Sequence, residues 1–152
     1  MKDLKFFKEN CPSKSYIAVL LNPCFYSVIL YRVSNFFYRH KLSIISKVIW
    51  FINRVIFSVD IDYRAQIGDN FMLVHGLGIV IGCDVKIGKN VKIYQGVTLG
   101  GCGKIREENG EILTQPIIGD NCIIYTNACI FGPVKISSNT KIKACKVIVE
   151  DM

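Results

Sequence analysis

The chain of 152 residues contains two histidines, and His75 is the one whose setting suggests chemistry. It opens the glycine-rich run His75-Gly-Leu-Gly-Ile-Val-Ile-Gly82. A neutral imidazole, with its pKa near 6.5, can take a proton from a hydroxyl at physiological pH. A carboxylate that fixes its tautomer and steadies the imidazolium completes such a base. Asp60 and Asp62 lie fifteen and thirteen residues upstream, and either could serve. Gly100 and Gly101 form a second small-residue site, where a backbone N–H could meet a developing oxyanion. The seven cysteines show no CxxC pair and no zinc spacing, so no metal is expected. They read as reduced thiols, with Cys122 as a small core filler.

These residues are carried by a repeat. From Ile61 to Ile148 an aliphatic residue recurs every six positions. Ile61, Ile67, Leu73 and Ile79 are followed, after a slip of two, by Ile81, Ile87, Ile93 and Leu99. Ile118, Ile124, Ile130, Ile136, Ile142 and Ile148 resume the count. A second set four residues on (Ala65, Phe71, Leu77, Val85, Val91, Val97, Cys122, Ala128, Val134, Thr140) is also expected to face inward. A period of six fits neither a helix nor a plain strand. It fits a parallel β-helix, in which each hexapeptide gives one short strand and a turn. His75 is third in its hexapeptide and should point outward. Between residues 101 and 116 the period fails, and this polar, glycine-containing stretch reads as an inserted loop.

The residues Val59-Asp60-Ile61, His75 to Gly82, and Gln95-Gly-Val-Thr-Leu-Gly-Gly-Cys-Gly-Lys104 carry a resemblance to the hexapeptide-repeat acyltransferases. Within them the chain resembles the serine O-acetyltransferase group. The resemblance implies an all-β, left-handed parallel β-helix with three hexapeptides per turn, preceded by a short N-terminal α-helical segment. It implies acetyl-CoA as donor and a homotrimer with active sites between subunits. His75 falls on the family's catalytic histidine and Asp60 on its partner, with Asp62 as fallback. The donor would lie along a coil edge at Gly100, Gly101, Thr126 and Ala144, with Lys104, Lys143 or Lys146 near its phosphates.

The acceptor positions depart from the family. Serine-specific members resemble one another in an acid before the catalytic histidine and an Arg-His pair ending the inserted loop. Here the matching residues are Val74, Thr114 and Gln115. A zwitterion needs charged partners for both its ends. Val74, Gln95, Gln115 and Asn109 suggest a neutral site, and the chain looks like small relatives from surface-polysaccharide clusters. The first expectation is therefore acetyl transfer to a sugar hydroxyl. Transfer to L-serine is the alternative, and a non-catalytic scaffold the third reading.

Composition sets the frame. The 51% of apolar residues suffice for a core. The division expected is a helical segment over residues 1–57 and a repeat domain over 58–152. Residues 1–57 hold nine Lys and Arg against two acids, which equals the whole net charge of +7. Ten basic and ten acidic residues cancel over 58–152. Asn22-Pro23 starts a helix as N-cap and first residue, running to about Arg39. A second helix spans about Ser43 to Phe57, while residues 1–15 read as a short helix or an arm. The basic, aromatic helices read either as a cap or oligomer contact, or as an element at a membrane surface. No nucleic-acid motif accompanies the charge. No apolar run reaches the roughly 18 residues needed to cross a bilayer. With no secretory signal read, a cytoplasmic protein is expected, either free or peripheral at the inner membrane face.

Overall fold

The computed structural model describes residues 2–108 and 110–152. Four helices come first: α1 (Lys2–Asn10), α2 (Tyr16–Leu20), α3 (Pro23–Arg39) and α4 (Ser43–Phe57). The expected cap is present, since Asn22 Oδ1 accepts from the Cys24 N–H at 2.9 Å. The α4 helix ends at Ser58, whose φ of 54° is left-handed.

The rest is a left-handed β-helix with three parallel faces. The first face stacks β1 (Val59–Ile61), β4 (Ile79–Ile81), β7 (Thr98–Gly100), β12 (Cys129–Phe131) and β15 (Val147–Ile148). The second stacks β2 (Gln66–Ile67), β5 (Lys86–Ile87), β10 (Ile117–Ile118) and β13 (Lys135–Ile136). The third stacks β3 (Phe71–Val74), β6 (Val91–Tyr94), β11 (Ile123–Ile124) and β14 (Lys141–Ile142). The six-residue aliphatics point into the prism: Ile61, Leu73, Ile81, Ile93, Leu99, Ile124 and Ile130 are all buried. Corners take residues that tolerate left-handed backbone. Asn70, Asn90, Asn121 and Asn139 all have positive φ there. Their amides form a ladder down one corner, each donating to the next at 2.8 to 3.2 Å.

The helices close the open end of this prism. A first coil presents strand-edge carbonyls with no strand above them. The hydroxyl of Tyr31 donates to Ala65 O at 2.7 Å, and Asn35 Nδ2 to Tyr63 O at 2.7 Å. Arg32 donates to the carbonyls of Ile67 and Gly68. Asp3 of α1 accepts from both Arg32 and the Phe71 N–H. Burial pushes the Tyr31 phenol up to about 12, so it remains a donor.

Residues 2–10 form a helix, the first of the two readings offered for that stretch. Two expectations are corrected. The inserted loop holds an antiparallel hairpin, β8 (Arg106–Glu108) with β9 (Glu111–Leu113), pinned by Arg106 to Asp151 and by Lys135 to Glu108. Leu77, expected inside, is 65% exposed. Its position reflects the slip in the repeat. Val59 pairs with Ile79, twenty residues on, whereas Val80 pairs with Thr98, eighteen on. Two extra residues therefore sit in the turn between β3 and β4, and they push that turn out of the prism.

Candidate active site

That turn carries His75. Its φ is 53°, and the Leu77 N–H closes a tight bond to the His75 carbonyl at 2.7 Å. The Gly78 N–H returns the chain to the ladder through Ser58 O at 2.9 Å. Behind the histidine, the Gly76 N–H donates to Cys24 Sγ of α3 at 3.1 Å. A Cβ on Gly76 would lie 3.3 Å from that sulfur, so the glycine lets α3 come close. The imidazole is exposed, as expected of an outward position.

His75 lines a cavity of about 770 Å³. Its walls come from the end of α1 (Asn10 to Pro12), the start of α3 (Asn22 to Cys24), the end of α4 (Ile56, Phe57) and β3, with Tyr94 below. Val74, expected at the acceptor, is among the lining residues. Among the described residues, no Asp, Glu, Lys or Arg lines it.

Asp60 does not bond to His75 within the chain. Its Oδ1 accepts from the Trp50 indole N–H at 2.9 Å, and its Oδ2 pairs with Arg54 at 2.9 Å. Both come from α4, which lies over β1 and presents them to the carboxylate. Asp62, the fallback, is held by Arg64 at 2.8 Å on the next corner. The sequence reading missed Trp50 and Arg54 as neighbours of Asp60. Their spacing of four on a helix was a usable signal, though not for their target.

The remaining candidates fall into two groups. Gln95, Thr126 and Ala144 continue the corner of His75 through successive coils. The Asn127 N–H bonds to Gln95 O at 3.0 Å and the Cys145 N–H to Thr126 O at 2.9 Å. Gln95 Oε1 is buried without a partner. Gly100, Gly101, Lys104 and Gln115 lie at the opposite edge of the first face. Gln115 Nε2 contacts Cys83 Sγ at 3.2 Å, and a Cβ on Gly82 would strike its amide. A Cβ on Gly100 would meet only the Phe131 ring, at 3.9 Å, so the backbone there is open to a narrow chain, whereas one on Gly101 would already meet Thr114 O at 3.4 Å. The two groups are not brought together within one chain. Asn109 lies outside the described residues.

No protein-family model matches the chain. It is 35% identical over 147 residues to a serine acetyltransferase of Bacillus pumilus (strain SAFR-032), covering 96% of this chain and 65% of that protein. A serine acetyltransferase of Staphylococcus aureus (strain N315) is 34% identical over 152 residues, covering 99% of this chain and 69% of that one. The chain belongs to the serine acetyltransferase family. Among solved structures, the soybean serine acetyltransferase complexed with serine superposes with a TM-score of 0.88 at 32% identity, over 99% of this chain and 61% of that one. A serine acetyltransferase complexed with CoA gives 0.87 at 26%, over 99% and 60%. The chain thus spans about two thirds or less of the length of most of these family members, and 65% of the Bacillus pumilus protein.

Proposed function

We propose that this member of the serine acetyltransferase family transfers the acetyl group of acetyl-CoA to a hydroxyl. The observation that carries the reading is His75, held on an outward turn at the wall of a cavity large enough for a small acceptor. In this reading neutral His75 takes the hydroxyl proton as the oxygen attacks the thioester carbonyl. A backbone N–H near Gly100-Gly101 meets the oxyanion. The imidazolium then returns the proton to the departing CoA thiolate. Asp60 would act on His75 only by turning from Trp50 or Arg54. Gly100, Gly101, Thr126 and Ala144 would border the pantetheine arm, with Lys104 near a phosphate.

L-serine is the acceptor that the relatives favour, ahead of the sugar hydroxyl expected from the sequence. The relatives are serine acetyltransferases, and one structure similar to this chain contains serine. One observation favours a second reading, an uncharged acceptor, because among the described residues no Asp, Glu, Lys or Arg lines the cavity. Homotrimer formation fits either reading. Neighbouring subunits would set the Gly101 edge of one against the His75 corner of the next, with Gln95 and Gln115 at the acceptor. The basic helices would suit a membrane face, although no helix among the described residues is long and apolar enough to cross one.

The test is thiol release from acetyl-CoA with L-serine and then with a sugar panel, using His75→Ala as control. Serine-dependent release lost in the variant is the expected result. Release with a sugar alone would select the uncharged acceptor, and equal release by the variant would remove His75 from the mechanism.

A further inference from the structure

The α4 helix carries two of its polar residues on its inner side. Ser46 and Asn53, seven residues apart, are buried against Ser27 and Ser34 of α3. The Ser34 hydroxyl donates to Ser46 O at 2.7 Å, and Asn53 Nδ2 donates to Ser27 O at 3.1 Å. Small hydroxyl residues that let helices approach and bond across each other are the packing mode of helices in lipid. The outer face is the reverse. Ile44, Val48, Phe51 and Val55, spaced four, three and four, are 82%, 52%, 59% and 63% exposed. A helix on a protein in water turns such a stripe toward the core. This one turns it away.

Charge accompanies the stripe. Between Glu9 and Asp60 the chain has six basic residues and no acid. Arg32 and Arg54 are paired with acids outside that span, Asp3 and Asp60. Arg39, Lys41 and Lys47, around the turn from α3 into α4, form no ion pair among the described residues. An apolar stripe flanked by cations suits an anionic lipid surface. It suits a second copy poorly, because pairing through this stripe sets basic residues against basic residues with no acid to answer them.

We propose that the outer face of α4 docks in the plane of an anionic membrane. Ile44, Val48, Phe51 and Val55 enter the acyl boundary, and Lys41 and Lys47 meet lipid phosphates. The last turn of α4 also lines the His75 cavity, so docking keeps that cavity within one helix length, about 22 Å, of the lipid. This inference does not depend on acetyl transfer or on its acceptor.

The experiment is co-sedimentation of the full chain with vesicles of phosphatidylcholine plus phosphatidylglycerol, and with phosphatidylcholine alone, at low and raised salt. Molar mass is followed by light scattering. The wild-type chain is expected to sediment with the anionic vesicles only and to be released by salt. Val48→Glu with Val55→Glu should weaken binding at least about tenfold without changing the mass. Lys41→Glu with Lys47→Glu should weaken it similarly, since each cation near the surface contributes roughly fivefold. Circular dichroism checks the fold, and the lysine pair with the salt series carries the test if the glutamates perturb α4. Absence of binding to anionic vesicles overturns the proposal. So does a fall in mass of the glutamate variant with no vesicle binding by the wild type, which would make the stripe a contact between copies.

Discussion

His75 holds a backbone conformation that asparagine and glycine adopt more readily than histidine. The prism places Asn70, Asn90, Asn121, Asn127 and Asn139 in the same left-handed region. His75→Asn should therefore keep the turn while removing the base. We expect a melting temperature within about 3 °C of wild type and thiol release lower by roughly 10²- to 10⁴-fold. The same substitution separates the imidazole from the turn geometry, which His75→Ala does not. Asp60 is answered by Trp50 and Arg54, and the Arg54 pair is partly exposed. Arg54→Ala should thus cost no more than about 1 kcal/mol in denaturant unfolding. The outward position of His75 was legible from the six-residue count, and the structure exposes it; the role proposed for it came from the resemblance and not from the count. The partners of Asp60 were not legible, because hexapeptide spacing says nothing about which face of a preceding helix lies on the first coil.

At the scale of elements, α3 works as a lid of hydrogen bonds as much as of apolar contacts. Tyr31→Phe leaves the buried Ala65 carbonyl with only the longer bond from Asn35, at 3.2 Å. The expected loss is about 1 to 2 kcal/mol, read from urea unfolding. The hairpin β8–β9 depends on charge instead. The Arg106 hydrogen bond holds Asp151 below the usual carboxylate range, and Lys135 does the same for Glu108. Groups depressed in this way stabilise the fold above their unfolded pKa, and that contribution fades as pH falls through the folded value. Amide exchange in residues 106–113, corrected for intrinsic rates, should accelerate below about pH 4 while the prism stays protected. Helix limits were legible because Asn22-Pro23 is a local signal and α3 and α4 are long. The hairpin was not, since its strands are three residues each and its anchor Asp151 lies 45 residues from Arg106.

For the whole molecule, the first face separates the His75 corner from the Gly101 edge. A site formed between copies predicts complementation. Subunits carrying His75→Asn and subunits carrying Gly101→Trp, inactive alone, should regain about a quarter of wild-type thiol release when refolded together in equal amounts. No recovery would place the whole reaction in one subunit. The prism was legible apart from Leu77 at the slip, because a six-residue count reports which residues face a common core. Assembly was not, because the residues that would meet across copies sit on outward positions where the period is silent. The two-residue excess at His75 can also be seen as a dislocation in an otherwise regular crystal of coils. Excising His75 and Gly76 would bring the twenty-residue coil to the eighteen of the next one. The healed chain should melt higher in thermal unfolding and lose thiol release, which would make the proposed base a fault line that the lattice tolerates rather than part of its order.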